Sequence, residues 1–94
     1  MEEKAKQIAE LLKVLANENR LMILCALMEE PMTVGTIAKR VTGITQPALS
    51  QHLSVLKAAG ILDSEKQGQS ITYSILDHRV EEVLHVLKRH YCDL

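Results

Sequence analysis

The sequence predicts a mainly α-helical winged helix-turn-helix domain with a β-hairpin, in the order α-α-α-α-β-β-α. One observation is a short helix followed, after a tight turn, by a helix that is apolar on one side only. The other is a strand of alternating polar and apolar residues directly behind that helix. Together they are typical of DNA-binding domains whose second helix enters the major groove and whose hairpin forms a wing.

The first helix of this pair is predicted to begin after Thr33, because a threonine hydroxyl can cap a helix N-terminus. Its apolar residues recur with the helical spacing i, i+3, i+4, i+7 and are Val34, Ile37, Ala38 and Val41. Thr42-Gly43-Ile44 ends this helix. Thr45 can cap the next one, in which Pro47 is tolerated in the first turn.

The second helix has two chemically different faces. Leu49, Leu53 and Leu56 form the apolar face, and Gly60 ends the helix. The opposite face carries hydrogen-bonding side chains and one cation, which are Gln46, Ser50, Gln51, Ser54 and Lys57. Base edges in the major groove offer a distinct pattern of donors and acceptors. Double-stranded operator DNA is therefore the predicted partner, with base or phosphate contacts from Gln46, Ser50, Gln51 and Ser54 and a phosphate contact from Thr45.

The predicted wing consists of residues 61–66, the turn Gln67-Gly68-Gln69 and a return strand over residues 70–75. The return strand alternates, with Ile71, Tyr73 and Ile75 on one face and hydroxyl residues on the other. Lys66 and Gln69 near the tip, together with Lys57, are predicted to contact the DNA backbone. A winged helix that binds another protein is the alternative interpretation of the same elements.

Both ends of the chain carry apolar stripes that one small domain is not expected to cover. The first helix has Ile8, Leu11, Leu12 and Leu15 at helical spacing, and the last has Val80, Val83, Leu84, Leu87 and Tyr91. The helix over residues 18–28 between them is apolar nearly all round and is predicted to be the buried hub. Pairing of the end helices would form a homodimer. Its two recognition helices, which are the second helices of the two helix-turn-helix units, would lie about one DNA turn apart.

Length, charge distribution and the motifs present limit the class of protein. Residues 1–94 are predicted to form one domain. The net charge is −1, but residues 33–70 carry four bases against two acids. No catalytic constellation or phosphate loop is present, and no cofactor is expected. The chain lacks an apolar run of membrane-spanning length and a signal-peptide pattern, so a cytoplasmic protein without a membrane partner is predicted.

Several segments in this order resemble the ArsR/SmtB family of bacterial and archaeal repressors. They are Leu-Ala-Asn-Glu-Asn-Arg-Leu at 15–21, Gln-Pro-Ala-Leu-Ser-Gln-His-Leu at 46–53, Leu-Lys-Ala-Ala-Gly-Ile-Leu at 56–62, and a strand that contains Tyr73. The resemblance covers nearly the whole chain. It implies a homodimeric winged-helix repressor that leaves DNA when a metal ion or an oxidant reaches a sensing site.

The two cysteines, Cys25 and Cys92, lie 67 positions apart and form no Cys-x-x-Cys motif. By residue type alone, Cys25 in its apolar helix is a small buried hydrophobe. The pair is nevertheless similar to that of the persulfide-responsive branch of the family. This resemblance implies that a disulfide or polysulfide bridge forms between them on exposure to a reactive sulfur species or an oxidant. Because Lys88 and Arg89 lie near Cys92 in the sequence, we expect Cys92 to react first and Cys25, the less acidic thiol, to resolve.

Metal sensing is the main alternative mechanism. Asp77, His90 and Asp93 match the zinc ligands that the family places on its last helix, but Arg79 stands where the first histidine belongs. Three ligands leave a tetrahedral zinc site incomplete, and residues 34–41 lack the cysteines of the other known site, so no metal site is predicted. His52, within the recognition helix, is predicted to have a packing and positioning role.

Overall fold

The computed structural model describes residues 1–91, which form five helices and three strands. In chain order the elements are α1 (Glu2–Leu15), α2 (Glu18–Glu29), β1 (Met32–Thr33), α3 (Val34–Arg40), α4 (Gln46–Ala58), β2 (Leu62–Gln67), β3 (Ser70–Ile75) and α5 (His78–Tyr91). The predicted winged helix-turn-helix order is confirmed, with β1 as an additional strand. None of the helices in this range is long and apolar enough to cross a membrane.

Helices α2, α3 and α4 each begin at a side-chain cap that accepts a hydrogen bond from a backbone N–H of the first turn. The Asn17 side chain accepts a hydrogen bond from the backbone N–H of Arg20 at 3.1 Å. Thr33 and Thr45 cap α3 and α4 in the same way, each at 3.3 Å. Such caps fix where a helix begins and stabilise it by about 0.5–2 kcal/mol. The two threonine caps confirm the helix starts predicted from the sequence.

Helix α2 is the hub of the hydrophobic core. Its five consecutive residues from Ile23 to Leu27 are all buried, which requires neighbours on every side of the helix. The residues from other elements that complete the buried cluster are Leu15, Met32, Ile37, Val41, Leu49, Leu53, Leu56, Ile61, Leu62, Val80 and Leu84. The core is therefore aliphatic and joins all five helices to the sheet.

The wing is a three-stranded antiparallel sheet rather than the predicted two-stranded hairpin. Its strand order is β1-β3-β2, with Met32 paired with Tyr73 in the added strand. The β2–β3 hairpin closes at the pair Gln67–Ser70 through a short turn in which Gly68 has φ +61°. Because β1 lies between α2 and α3, its pairing with β3 fixes the wing to the helix-turn-helix.

Helix α3 buries a narrower stripe than its sequence predicts. Ile37 and Val41 are buried, Val34 is partly buried, and Ala38 is exposed. This seven-residue helix presents only a short edge to the core. A single methyl group left in water forfeits little hydrophobic stabilisation, so the exposure of Ala38 costs little.

Candidate nucleic-acid interface and thiol site

Helix α4 separates its two faces as the sequence predicted. Leu49, Leu53 and Leu56 are at most 2% exposed and anchor the helix on the core. The residues of the polar set, Gln46, Ser50, Gln51, Ser54 and Lys57, are all exposed, as is the cap Thr45. The helix therefore presents amide and hydroxyl groups to the exterior from a fixed support.

The turn of the wing and the start of α4 face one another across a groove of about 400 Å³. Gln46, the first residue of α4, and Gln69, in the β2–β3 turn, both line it. The remaining lining residues are Thr33, Val34, Gly35, Ser70 and Ile71. The structure thus brings Gln46 and Gln69 together. Lys66 lies on β2 opposite Ile71, where it is exposed.

Lys57 connects the end of α4 to the wing. Its Nζ donates a hydrogen bond to Ser64 Oγ on β2 at 2.6 Å. No sequence pattern predicts this contact, because it joins two elements across the turn at Gly60. An ammonium group has three donors, so this bond leaves two others for a phosphate.

Arg20 links α4 to the other helices and was not singled out in the sequence. Its Nε donates to His52 Nδ1 at 3.2 Å, and its Nη1 donates to the backbone carbonyl of Val14 at 3.1 Å. One side chain thereby joins the end of α1 and the start of α2 to the recognition helix. His52 is half-buried and accepts this bond.

Cys25 lies on α2 at a cavity of about 210 Å³ next to α3 and α5. The cavity is lined by Met22, Cys25, Ala26, Glu29, Arg40, Val41 and Lys88. Cys25 itself is 8% exposed, and burial raises the pKa of its thiol, while the positive charge of Lys88 acts in the opposite direction. From the sequence, Lys88 was expected to act on Cys92, whereas in the structure the positive charge of Lys88 lies near Cys25. Cys92 lies outside the described residues.

Asp77, one of the considered metal ligands, is bound by Arg79. Arg79 donates from Nε to Oδ1 at 3.0 Å and from Nη2 to Oδ2 at 2.9 Å, which lowers the pKa of the Asp77 carboxyl. His90 is exposed on α5, and Asp93 lies outside the described residues. Within residues 1–91, no three His, Cys, Asp or Glu side chains are grouped to hold a metal ion.

An apolar groove runs between α1 and α5. It has a volume of about 300 Å³ and is lined entirely by Leu12, Leu15, Ala16, Leu21, Val83, Leu84 and Leu87. Leu12 is 52% exposed, Val83 47% and Leu87 41%, and Ile8 beyond the groove is 57% exposed. Large apolar side chains that lie together in water mark an interaction surface.

The fold and the polar face of α4 define a winged helix-turn-helix protein of the DNA-binding type. The model of the bacterial regulatory protein arsR family matches residues 17–64, and the chain belongs to this family. Family and relatives are DNA-binding transcriptional regulators, so the chain is a transcriptional regulator and not an enzyme.

Three relatives illustrate the similarity. The transcriptional activator HlyU of Vibrio cholerae is 37% identical over 98% of this chain and 84% of its own length. A structure of reduced HlyU gives a TM-score of 0.90 at 36% identity, covering 99% of this chain and 97% of that one.

The biofilm growth-associated repressor of Xylella fastidiosa is 35% identical over 98% of this chain and 80% of its own. The structure of the repressor BigR from the same organism gives a TM-score of 0.89 at 34% identity, covering 100% and 95% of the two chains. The homodimeric winged helix-turn-helix domain Mb0332 of Mycobacterium bovis gives 0.82 at 26% identity, covering 97% and 83%.

Proposed function

We propose that the chain is a homodimeric repressor that releases its operator when Cys25 and Cys92 become linked by a disulfide or polysulfide. The DNA-binding part of this proposal depends on one observation above all. The amide and hydroxyl side chains of α4 are exposed on one face, while three buried leucines fix the opposite face on the core. Such a helix can enter the major groove without rearrangement of the domain.

Base recognition is assigned to the amides and hydroxyls of α4. A glutamine can contact adenine through two hydrogen bonds, so Gln46 and Gln51 are the strongest candidates, supported by Ser50 and Ser54. Thr45, Lys57, Lys66 and Gln69 are assigned to phosphates, which position the protein but do not read sequence. The groove shared by Gln46 and Gln69 supports one continuous contact surface of helix and wing.

Two substitutions separate base reading from phosphate binding. In Gln51→Ala, discrimination between the operator and a scrambled duplex falls by about 1–3 kcal/mol per half-site if the contact is bidentate. In Lys66→Gln, both duplexes bind more weakly and the salt slope of log affinity drops by about 1.8, because each dimer loses two phosphate contacts of roughly 0.9 each. Fluorescence anisotropy titrations at several salt concentrations measure both quantities.

The exposed residues Gln7 and Lys6 on α1, which lie outside its apolar stripe, provide matched controls for this experiment. Gln7→Ala and Lys6→Gln remove the same groups without touching α4 or the wing, and binding should not change. If Lys66→Gln lowered the affinity for the operator but not for the scrambled duplex, the assignment of Lys66 to the DNA phosphates would be contradicted. If the wild-type chain shows no sequence-specific binding at all, a protein-binding winged helix becomes the better assignment.

Homodimerisation is assigned to α1 and α5, with residues 1–94 as one domain. The two helices expose Leu12, Val83 and Leu87 around an apolar groove, and a second copy would cover this surface. The relative Mb0332 is homodimeric, which supports dimerisation of this chain. A two-fold dimer presents two copies of α4, as a palindromic operator requires.

The sensing step is assigned to the two cysteines. Cys25 lies on the buried hub α2, and its cavity is also lined by Lys88 on α5, four positions before Cys92 in the sequence. A covalent bridge would tie α5 to the hub. Because α5 also carries the proposed dimer surface, the bridge would change the spacing of the two copies of α4 and weaken several DNA contacts at once.

Intact-mass spectrometry tests this step directly. Wild-type protein treated with glutathione persulfide should form an intramolecular bridge that retains extra sulfur, and peroxide should give the plain disulfide. Cys25→Ser and Cys92→Ser should bind DNA as the wild type does but should not be released by persulfide. One equivalent of bound zinc with unmodified thiols, together with release by zinc, would favour the metal-sensing alternative.

A further inference from the structure

The cavity beside Cys25 carries a net positive charge that belongs mainly to Lys88. Its charged lining residues, within residues 1–91, are Glu29 on the same helix as Cys25, Arg40 on α3 and Lys88 on α5. Arg40 Nη1 lies 3.3 and 3.2 Å from the two carboxylate oxygens of Glu29, so these two charges largely cancel. Lys88 is half-buried, and it is the cation whose field acts on the Cys25 thiol.

The size and lining of the cavity limit what can react there. Its volume of about 210 Å³ is below the roughly 300–1,000 Å³ of ordinary ligand pockets. Met22, Ala26 and Val41 supply apolar walls around the thiol. A molecule of a few heavy atoms, or the sulfur end of a larger one, fits such a space.

We propose that Lys88 is a positioning residue for Cys25, whose ammonium group favours the thiolate and draws small anionic sulfane-sulfur donors into the cavity. This inference rests on the proposed sensing function and deepens it. Bridge formation needs Cys25 as a nucleophile in either order of reaction, because Cys25 attacks either the donor or a persulfide already formed on Cys92.

The attack of Cys25 on the donor needs no further reagent. The Cys25 thiolate attacks the terminal sulfur of a persulfide donor, an S–S bond forms to Cys25, and the S–S bond of the donor breaks. The electron pair of the broken bond leaves with the donor as a thiolate, and the proton stays on the transferred sulfur. The Cys25 sulfur is oxidised and the donor is reduced. Lys88 faces negative charge both before and after the transfer.

The need for Lys88 follows from the burial of Cys25. Desolvation disfavours the thiolate and raises the pKa of Cys25, so the thiol ionises less readily than an exposed one, and a nearby positive charge offsets part of this effect. Lys88 is the group that provides this charge from a neighbouring helix. An opposite charge also accelerates the approach of anionic reagents relative to neutral ones.

Alkylation of Cys25 tests the inference independently of persulfide and DNA. In a Cys92→Ser background, the rate of reaction is measured against pH with iodoacetate, which is anionic, and iodoacetamide, which is neutral. Lys88→Gln should shift the pH profile of alkylation to higher pH and slow iodoacetamide about three- to tenfold at neutral pH. The same variant should slow iodoacetate by a larger factor than iodoacetamide, because the anionic reagent also loses its attraction to the Lys88 charge. Lys88→Arg should restore both rates.

The neighbouring residue Arg89 supplies the control, since it is exposed and does not line the cavity. Arg89→Gln removes the same charge and should leave both rates unchanged. Equal effects of Lys88→Gln and Arg89→Gln, or an unchanged pH profile in Lys88→Gln, would overturn the inference. If the rates respond as expected but persulfide forms no bridge in the wild type, the sensing function fails while the role of Lys88 stands.

Discussion

Replacement of Leu12 by glutamine should weaken dimerisation without unfolding the protomer. Leu12 is 52% exposed on α1, so about half of its hydrophobic burial is still to be gained. Full burial of a leucine side chain is worth roughly 1.5–3 kcal/mol, so the remaining half is worth about 0.8–1.5 kcal/mol per copy. A symmetric dimer contains two copies, and the loss is therefore about 1.5–3 kcal/mol, or roughly 10- to 150-fold in the dimer dissociation constant.

Sedimentation velocity over a range of protein concentrations measures that constant. Leu76 provides the matched control, because it is 54% exposed but lies between β3 and α5, away from the apolar groove. Leu76→Gln should leave the dimer constant unchanged. A Leu12→Gln protein that dimerises as tightly as the wild type, or an equal loss in both variants, would refute the assignment of α1 to the interface.

Three further predictions concern the stability of the protomer. Arg20→Met should lower the free energy of unfolding by about 1–3 kcal/mol in urea titrations, because the bonds to His52 and Val14 are lost; an unchanged midpoint would show that they contribute nothing. Asn17→Ala should lower the free energy of unfolding by about 0.5–2 kcal/mol and Asn17→Ser by much less, because serine also caps a helix. Equal losses in the two variants would contradict the cap. The hydrogen bonds from Arg79 lower the pKa of Asp77 in the folded protein, so the pair stabilises the fold above the pKa that Asp77 has in the unfolded chain. This stabilisation is lost as the pH falls through the folded-state pKa. The thermal unfolding midpoints of the wild type and Asp77→Asn should therefore differ at pH 7 and converge in acid.

The recognition helix and the hairpin could be predicted because their signals are local. Thr45 caps α4, Gly60 with φ +76° follows its end, and the spacing of Leu49, Leu53 and Leu56 determines which face is buried. The alternation of residues 70–75 determines the strand in the same way. Each signal is contained within one helix or strand, so no knowledge of the tertiary structure is required.

The features that the sequence did not reveal depend on contacts between distant segments. Strand β1 has two residues, too few for a period, and exists because Met32 pairs with Tyr73. Likewise, the bond from Arg20 to His52 and the field of Lys88 at Cys25 join residues 32 and 63 positions apart. Tertiary packing determines such contacts. The apolar stripes of the first and last helices likewise predicted an interaction surface but not its geometry.

The most direct test of the account is the affinity of the reduced dimer for the DNA upstream of its own gene, measured before and after treatment with glutathione persulfide. The account predicts tight, salt-dependent and sequence-specific binding that falls about 5- to 150-fold when the bridge forms, and that returns after reduction with dithiothreitol. An affinity that stays the same while mass spectrometry shows the bridged protein would contradict it.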